Sequence, residues 1–304
     1  MKLLNLIGNT FILLCCCSKD PVKIKTGSLH LLALIVIFLS SFTAPLWGES
    51  EGELRGAWIA WAGNSVPSRE RIAETMDSLA AANFNIVYVD VWRYGYPYFR
   101  SDVFYEITGL YTDPSILTCQ QPERDVLAEM IAEARRNNLA VDAWFEAGFN
   151  GGANMYSPLV QERPRWLAKK KNGDVAWYSQ AGPSLIHVHP EVQQFFIDLS
   201  QELALKYDID GIEFDRVRYP GLDCGYDVET VALYKSEHDG ASPPTAEGDG
   251  AWVQWRADKL TEFMRIYHDS LKAVRPDIKL SNAPLPWGPE QFCQDWSPWI
   301  NNGY

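Results

Sequence analysis

The stretch Asp208–Pro220, DIDGIEFDRVRYP, concentrates side chains that could do chemistry. Ile209 and Gly211 to Phe214 form an apolar run of strand character, and alternation along a strand puts Glu213 and Asp215 on one side of it. Two carboxylates facing the same way can supply an acid, a base or a nucleophile. Arg216, Arg218, Tyr219 and Pro220 follow at once, a basic, aromatic turn that no continuing strand would choose and that a polar substrate could use. Arg216 or Arg218 could hold Asp215 ionised, as a nucleophile requires.

The elements that must position these residues alternate in kind. Apolar runs of strand character lie at 54–61, 85–92, 139–148, 209–214 and 277–286, and helical patterns stand between them. The helices start near Ser68, Pro122 and Pro190, and a long one runs through Trp252, Trp255, Leu260, Phe263, Tyr267 and Val274. Strands separated by helices imply parallel β/α units, because a parallel connection needs a crossover. The long segments 93–121, 149–189 and 216–250 all follow strands and so fall on one rim, which suits a (β/α)8 TIM-type barrel. No GxGxxG follows the first strand, so a dinucleotide fold has no support. Five strands consume the chain to about 286, and QFCQDWSPWINNGY offers at most the lead-in to a sixth. The expectation is a barrel domain over 49–304 that is incomplete at its C-terminal side, stopping after five to six units.

On such a rim the polar residues at strand ends project together: Trp61 with Asn64, Asp90 with Trp92 and Arg93, Asp142 with Trp144 and Glu146, Glu213 with Asp215, and Asn282 with Trp287. Carboxylates, amides and tryptophans in that mixture make a carbohydrate cleft, with acids for catalysis and indole faces for sugar rings. Asp215 is read as the nucleophile. Glu146 is read as the proton donor, because it ends the neighbouring strand beside Trp144 and Phe145 and apolar neighbours raise a carboxyl pKa. Trp61, Asp90, Trp92, Arg93, Trp144, Glu213, Arg218, Tyr219, Asn282 and Trp287 are read as substrate-binding, with Glu213 in reserve as the acid.

His187-Val188-His189 puts two imidazoles on one side of an extended segment, so a metal-dependent hydrolase such as a deacetylase, using both with Asp215, is an alternative. Two histidines before a helix that starts at Pro190 are more often loop packing, and neither a metal ligand nor a cofactor is assigned. A sugar-binding barrel without catalysis is the other alternative.

The 304 residues are 47% hydrophobic and 22% charged, which excludes disorder by composition, and 12 Trp, 14 Tyr and 13 Phe are many for this length. The formal charge is −12; residues 1–47 hold four Lys against one Asp, so the remainder carries −15 and would repel nucleic acid. Cys119, Cys224 and Cys293 are widely spaced and form no CxxC, so one disulfide at most could join them. Residues 1–48 read as a leader. LHLLALIVIFL at 29–39 lies behind Lys23 and Lys25 and ahead of small residues, the order of an export signal and too short for a membrane span. The mature protein is expected outside the cytoplasm (periplasmic, outer-membrane-associated or secreted), without a stable span after signal removal.

LRGAWIAW, VWRYGYPYFRS, DAWFEAGF, HPEVQQF and DGIEFDRVRYP, in that order from about Leu54 to Tyr304, resemble the bacterial glycosyl-hydrolase-like 10 domains, (β/α)8 proteins related to glycoside hydrolases. The resemblance implies hydrolysis of glycosidic bonds in a bacterial cell-envelope or related polysaccharide, and it places Asp215 at the nucleophile position of similar retaining enzymes. The family commonly has a second acid directly after that Asp. Here Arg216 stands there, which motivates the non-catalytic alternative.

Two apolar export segments in tandem make little physical sense, so translation is expected to begin near Val22, ahead of a single signal. N-terminal sequencing of an uncleaved precursor should read from there; a precursor beginning at Met1 would overturn this.

Overall fold

Alternation along each strand gives this fold two unlike surfaces, one covered by helices and one carrying the polar residues. The computed structural model describes residues 53–60, 66–118, 124–179 and 181–304. The leader, Trp61, Asn64, Cys119 and Pro122 lie outside these. Strand β1 (Gly56–Ile59) leads to helix α1 (Arg69–Ala81), β2 (Ile86–Arg93), α2 (Val126–Arg136), β3 (Ala140–Phe145), α3 (Pro190–Lys206), β4 (Gly211–Phe214), α4 (Gly250–Val274) and β5 (Lys279–Ser281). The five strands are parallel, each beside its neighbour in the chain, in the order β1-β2-β3-β4-β5. That is the progression of a β/α barrel, whereas a doubly wound sheet reverses direction at a switch point. Among the described residues, β1 and β5 each pair on one side only.

The helix-facing side is apolar. Val87, Val89, Val141, Ala143, Phe145, Ile212 and Phe214 all lie there and all are buried. Phe214 sits at its centre, with ring centroids of Phe145, Phe149, Phe196, Phe263 and Tyr267 at 5.0–5.9 Å. The helices begin where side chains satisfy their free N–H groups. Ser68 accepts from Arg71 N at α1, Asp125 from Ala128 N at α2, and Asp249 from Ala251 N and Trp252 N at α4. Helix α2 therefore starts at Val126, later than a Pro122 start would place it. The Tyr267 hydroxyl donates to Ser200 Oγ at 2.8 Å and ties α4 to α3.

The three long segments after strands carry structure of their own. Helices form at Asp102–Thr108, Pro114–Thr118, Pro158–Glu162 and Val228–Glu237, and Trp177–Tyr178 pairs antiparallel with Gly182–Pro183. At the opposite edge Arg275 donates to the carbonyls of Ala204, Tyr207 and Ile209, closing the turn into β4. Cys224 and Cys293 are buried as free thiols.

Because Phe214 joins the helix layer to the strand that carries Glu213 and Asp215, Phe214→Ala should cost about 3–5 kcal/mol of stability. Urea unfolding of the variant against the parent measures it, and a loss under about 1 kcal/mol would show that this face is not the core.

Candidate active site

On the other face of the sheet the register lines side chains up in two rows. Trp58, Tyr88, Asp142, Gly211 and Lys279 are mutual partners across the five strands, and Asp90, Trp144, Glu213 and Ser281 form the next row across the last four. No apolar core could accept that composition, so this face has to line a polar cleft. Gly211 is needed where it stands: a Cβ there would come within 2.5 Å of Asp142 Oδ1. Trp58 and Tyr88 stack with ring centroids 4.8 Å apart, and the Trp58 indole N–H donates to Glu213 Oε1 at 2.7 Å. Burial pushes Glu213 up to about 7, with the charges of Asp215 and Asp142 adding to it and the Trp58 bond opposing. Asp142 rises to about 6, by burial first and then by the charge of Asp210.

Asp215 stands one residue past β4. Its N–H donates to Phe145 O at 3.1 Å and its carbonyl accepts from Gly148 N at 3.2 Å, so the pairing of β3 with β4 continues beyond both strands. A Cβ on Gly148 would lie 2.7 Å from that carbonyl, which is why glycine occupies the position. The carboxyl of Asp215 meets the backbone N–H of Arg216 and lies 3.7 Å from the Arg218 guanidinium. The Trp144 indole N–H lies close enough to favour its charged form without reaching hydrogen-bond geometry. Burial still outweighs these helpers and raises the Asp215 pKa, so the arginines offset desolvation in part. Arg216 itself holds a left-handed backbone, φ 54°, stabilised by the Arg218 N–H donating to its carbonyl at 2.7 Å.

Glu146 has surroundings unlike those expected from its neighbours in the chain. Arg93 Nε lies 2.6 Å from one carboxylate oxygen and Arg216 3.6 Å from the other, so its partners are cations contributed by two different strand ends. Asp90 is buried beside this cluster, 3.8 Å from Arg93, and neither of its oxygens has a hydrogen-bond partner among the described residues. Burial holds its pKa well above the usual carboxylate range, and the charge of Glu146 adds to that.

The sheet thus brings Asp90, Arg93, Trp144, Glu146, Glu213, Asp215 and Arg218 to one region, and it removes others. Trp92 is fully buried against Phe104, Phe195 and Phe196 on the helix side. The cause is a bulge at Val91, where the β2–β3 register skips a residue, so the alternation reverses and Arg93 takes the cleft side in its place. Tyr219, read as substrate-binding, has its ring buried and stacked on His187, with centroids 4.3 Å apart. Asn282 donates to Phe214 O and braces β4, and Trp287 is about half exposed on the loop after β5.

His187 and His189 do not converge. His187 Nε2 lies 3.1 Å from the Tyr178 hydroxyl and 3.0 Å from Arg218 O, and burial pushes its pKa down to about 3. His189 caps α3, its Nδ1 accepting from Glu191 N at 3.1 Å. Among the described residues, no three His, Cys, Asp or Glu side chains are grouped so as to hold a metal ion. Trp58, Tyr88 and the wall formed by Trp177 and Tyr178 were not singled out from the sequence. Alternation within LRGAWIAW and NIVYVDVW does put Trp58 and Tyr88 on the acidic face, but nothing local marks the wall.

The model of the family described as Glycosyl hydrolase-like 10 matches residues 53–304. The chain belongs to this family. Glycosyl hydrolase YngK of Bacillus subtilis (strain 168) is 25% identical over 288 residues, covering 88% of this chain and 51% of that protein. Glycosyl hydrolase DigH of Escherichia coli (strain K12) is 23% identical over 174 residues, 54% of this chain and 37% of its own length. The chain thus spans about half or less of the curated relatives it matches. In fold, this glycosyl hydrolase-like 10 domain is similar to α-L-fucosidase isoenzyme 2 of Paenibacillus thiaminolyticus, with TM-score 0.53 and 16% identity over 75% of this chain and 32% of that one. It is equally similar to the PgaB (BpsB) glycoside hydrolase domain of Bordetella bronchiseptica, TM-score 0.53 and 15% identity over 76% and 67% of the two chains. Both neighbours are glycosidase barrels.

A carboxyl whose folded pKa lies above its unfolded value holds its proton in the native state while the unfolded chain has lost it, so stability falls as pH rises through that interval. For Glu213 the interval runs from the ordinary glutamate value of 4.5 to about 7. Glu213→Gln should therefore gain stability relative to the parent between pH 5 and pH 8, read by urea unfolding at both; a variant-minus-parent difference that stays constant or falls would mean Glu213 is not a buried acid.

Proposed function

We propose that this domain hydrolyses glycosidic bonds of a bacterial cell-envelope or related polysaccharide, with Asp215 as the nucleophile. The observation that carries this reading is the pair Glu213 and Asp215, which share one face at the end of β4 in unlike surroundings: Asp215 is flanked by two arginines, and Glu213 is buried and holds its proton to about pH 7. Unequal proton affinity in two neighbouring carboxyls is what double-displacement hydrolysis needs, one group to attack the anomeric carbon and one to protonate the departing oxygen. Glu213 then takes the acid role. Glu146, between two cations, suits a charged acceptor for substrate hydroxyls. Trp58, 53% exposed over the acidic face, and Trp144 offer indole surface for sugar rings. The bacterial relatives named glycosyl hydrolase agree with this activity, and the export-signal pattern of residues 29–39 supports a substrate outside the cytoplasm.

A non-catalytic sugar-binding barrel is the second reading, favoured by Arg216 standing where a second acid is common. Turnover separates the two. On any envelope glycan from which the parent releases reducing ends, Asp215→Asn should lower kcat about a thousandfold or more, roughly 4 kcal/mol, with glycan affinity retained. Glu213→Gln should regain rate on aryl glycosides with good leaving groups, the signature of a lost general acid, while Glu146→Gln mainly raises KM. The same regain in Glu146→Gln alone would return the acid role to Glu146, and near-parental hydrolysis by Asp215→Asn would remove Asp215 from the mechanism.

A further inference from the structure

Beside the carboxyl pair, the turn after β4 forms one wall of a cavity of about 350 Å³, within the ~300–1,000 Å³ range of ligand pockets. Arg216 and Arg218 line it together with Trp177, Tyr178, Leu285 and Phe292. The carbonyl groups of the turn are engaged within the protein, Arg216 O by Arg218 N–H and Val217 O by the Gln294 side chain. Arg218 O accepts from the Tyr178 hydroxyl at 2.7 Å and faces His187 Nε2 at 3.0 Å. The two guanidinium groups are left with long ion pairs only, Arg216 to Glu146 at 3.6 Å and Arg218 to Asp215 at 3.7 Å. Neither side chain donates a hydrogen bond among the described residues, and Arg218 Nη1 is buried without an acceptor there. A buried guanidinium donor without an acceptor is costly, so the arrangement is that of a site awaiting one.

The local charge points the same way. Burial favours the neutral forms of Asp90 and Glu213, and beside them the three cations Arg93, Arg216 and Arg218 face the carboxylates of Glu146 and Asp215. The domain as a whole is acidic, since residues 48–304 carry −15. A polyanion is therefore not drawn to the domain as a whole, and an acidic group is favoured at this one place. Planar guanidinium forks match carboxylates in two-point hydrogen bonding, and Trp177, 41% exposed, offers an indole face for the ring that bears the acid.

We propose that this cavity is a subsite for a sugar bearing a carboxylate, adjoining the bond to be cleaved, with Arg216 and Arg218 binding the acid and Trp177 stacking on the ring. This rests on the glycosidase reading for its place beside the scissile bond, but not for binding itself. Arg216 is then a specificity-determining residue of this chain, at the position where the family commonly carries an acid.

The test uses binding by the full chain, without turnover. Tetrasaccharides of galacturonate, of mannuronate, and of glucuronate alternating with N-acetylglucosamine are each titrated calorimetrically beside a counterpart whose carboxyl groups are reduced to alcohols. At least one acidic member should bind about tenfold or more tighter than its reduced partner. Arg216→Asn, which suits the left-handed backbone and removes the fork, should bring the two within about twofold while its thermal unfolding matches the parent. Trp177→Ala should weaken both members of that pair alike. Absence of any preference for an acidic member, or a preference that survives Arg216→Asn, would overturn the subsite. A glycan bound with this preference but never cleaved would instead count against the glycosidase reading and leave the subsite standing.

Discussion

Two backbone hydrogen bonds hold the end of β4 to the end of β3, Asp215 N–H to Phe145 O and Gly148 N–H to Asp215 O, and the candidate site depends on them. They extend a parallel ladder past the point where both strands would otherwise diverge. Everything beyond inherits its place from that extension: Glu146 lies between the bonded residues of one strand, and Arg216 to Tyr219 leave the other as a turn whose carbonyl groups are already spoken for. Small side chains are part of the same constraint. Any Cβ on Gly148 would push the strand ends apart, and one on Gly211 would displace Asp142 from the face it shares with Glu213.

Four acids, Asp90, Asp142, Glu213 and Asp215, lie on or at the end of this face with pKa values raised chiefly by burial. Burying them costs stability at neutral pH, which a protein under no functional demand could avoid by filling the face with valine and isoleucine, as it does on the helix side. The cost is contained by a few specific contacts. Trp58 donates to Glu213, Arg93 bridges Asp90 and Glu146, and Arg218 stands by Asp215. The helix layer offsets the remainder through dense aromatic packing around Phe214, and this asymmetry between the faces lets one strand be both core and chemistry.

Membership of the glycosyl hydrolase-like 10 family and the likeness in fold to glycosidase barrels agree with this division of labour. In a β/α barrel the loops after the strands build the site while the strands provide rigidity. Here those loops are long and themselves folded. The pair Trp177–Tyr178 with Gly182–Pro183 brings an aromatic wall from the segment after β3 against the turn after β4, so the walls of the cavity come from two loops and the acids beside it from adjoining strands.

Strands, helices and the facing of Glu213 with Asp215 were legible in the sequence because they follow from covalent geometry: side chains two apart on a strand share a face wherever the strand lies. The order of β/α units and the long segments after strands were legible for the same reason, as was the family, through motifs that sit on those strands. What the chain alone could not reveal is set by contacts between distant positions. Nothing around Val91 announces a bulge, since the extra residue exists only relative to the β3 register, yet it sends Trp92 to the core and Arg93 to the cleft. Glu146 looks apolar in its neighbours along the chain and is cationic in space, because Arg93 and Arg216 arrive from β2 and from the turn after β4. His187 and His189, alike in sequence, were separated by the stacking of one on Tyr219 and the capping of α3 by the other. Local periodicity decided which residues could do chemistry; register, burial and charge across the sheet decided which carboxyl keeps its proton and what surrounds it.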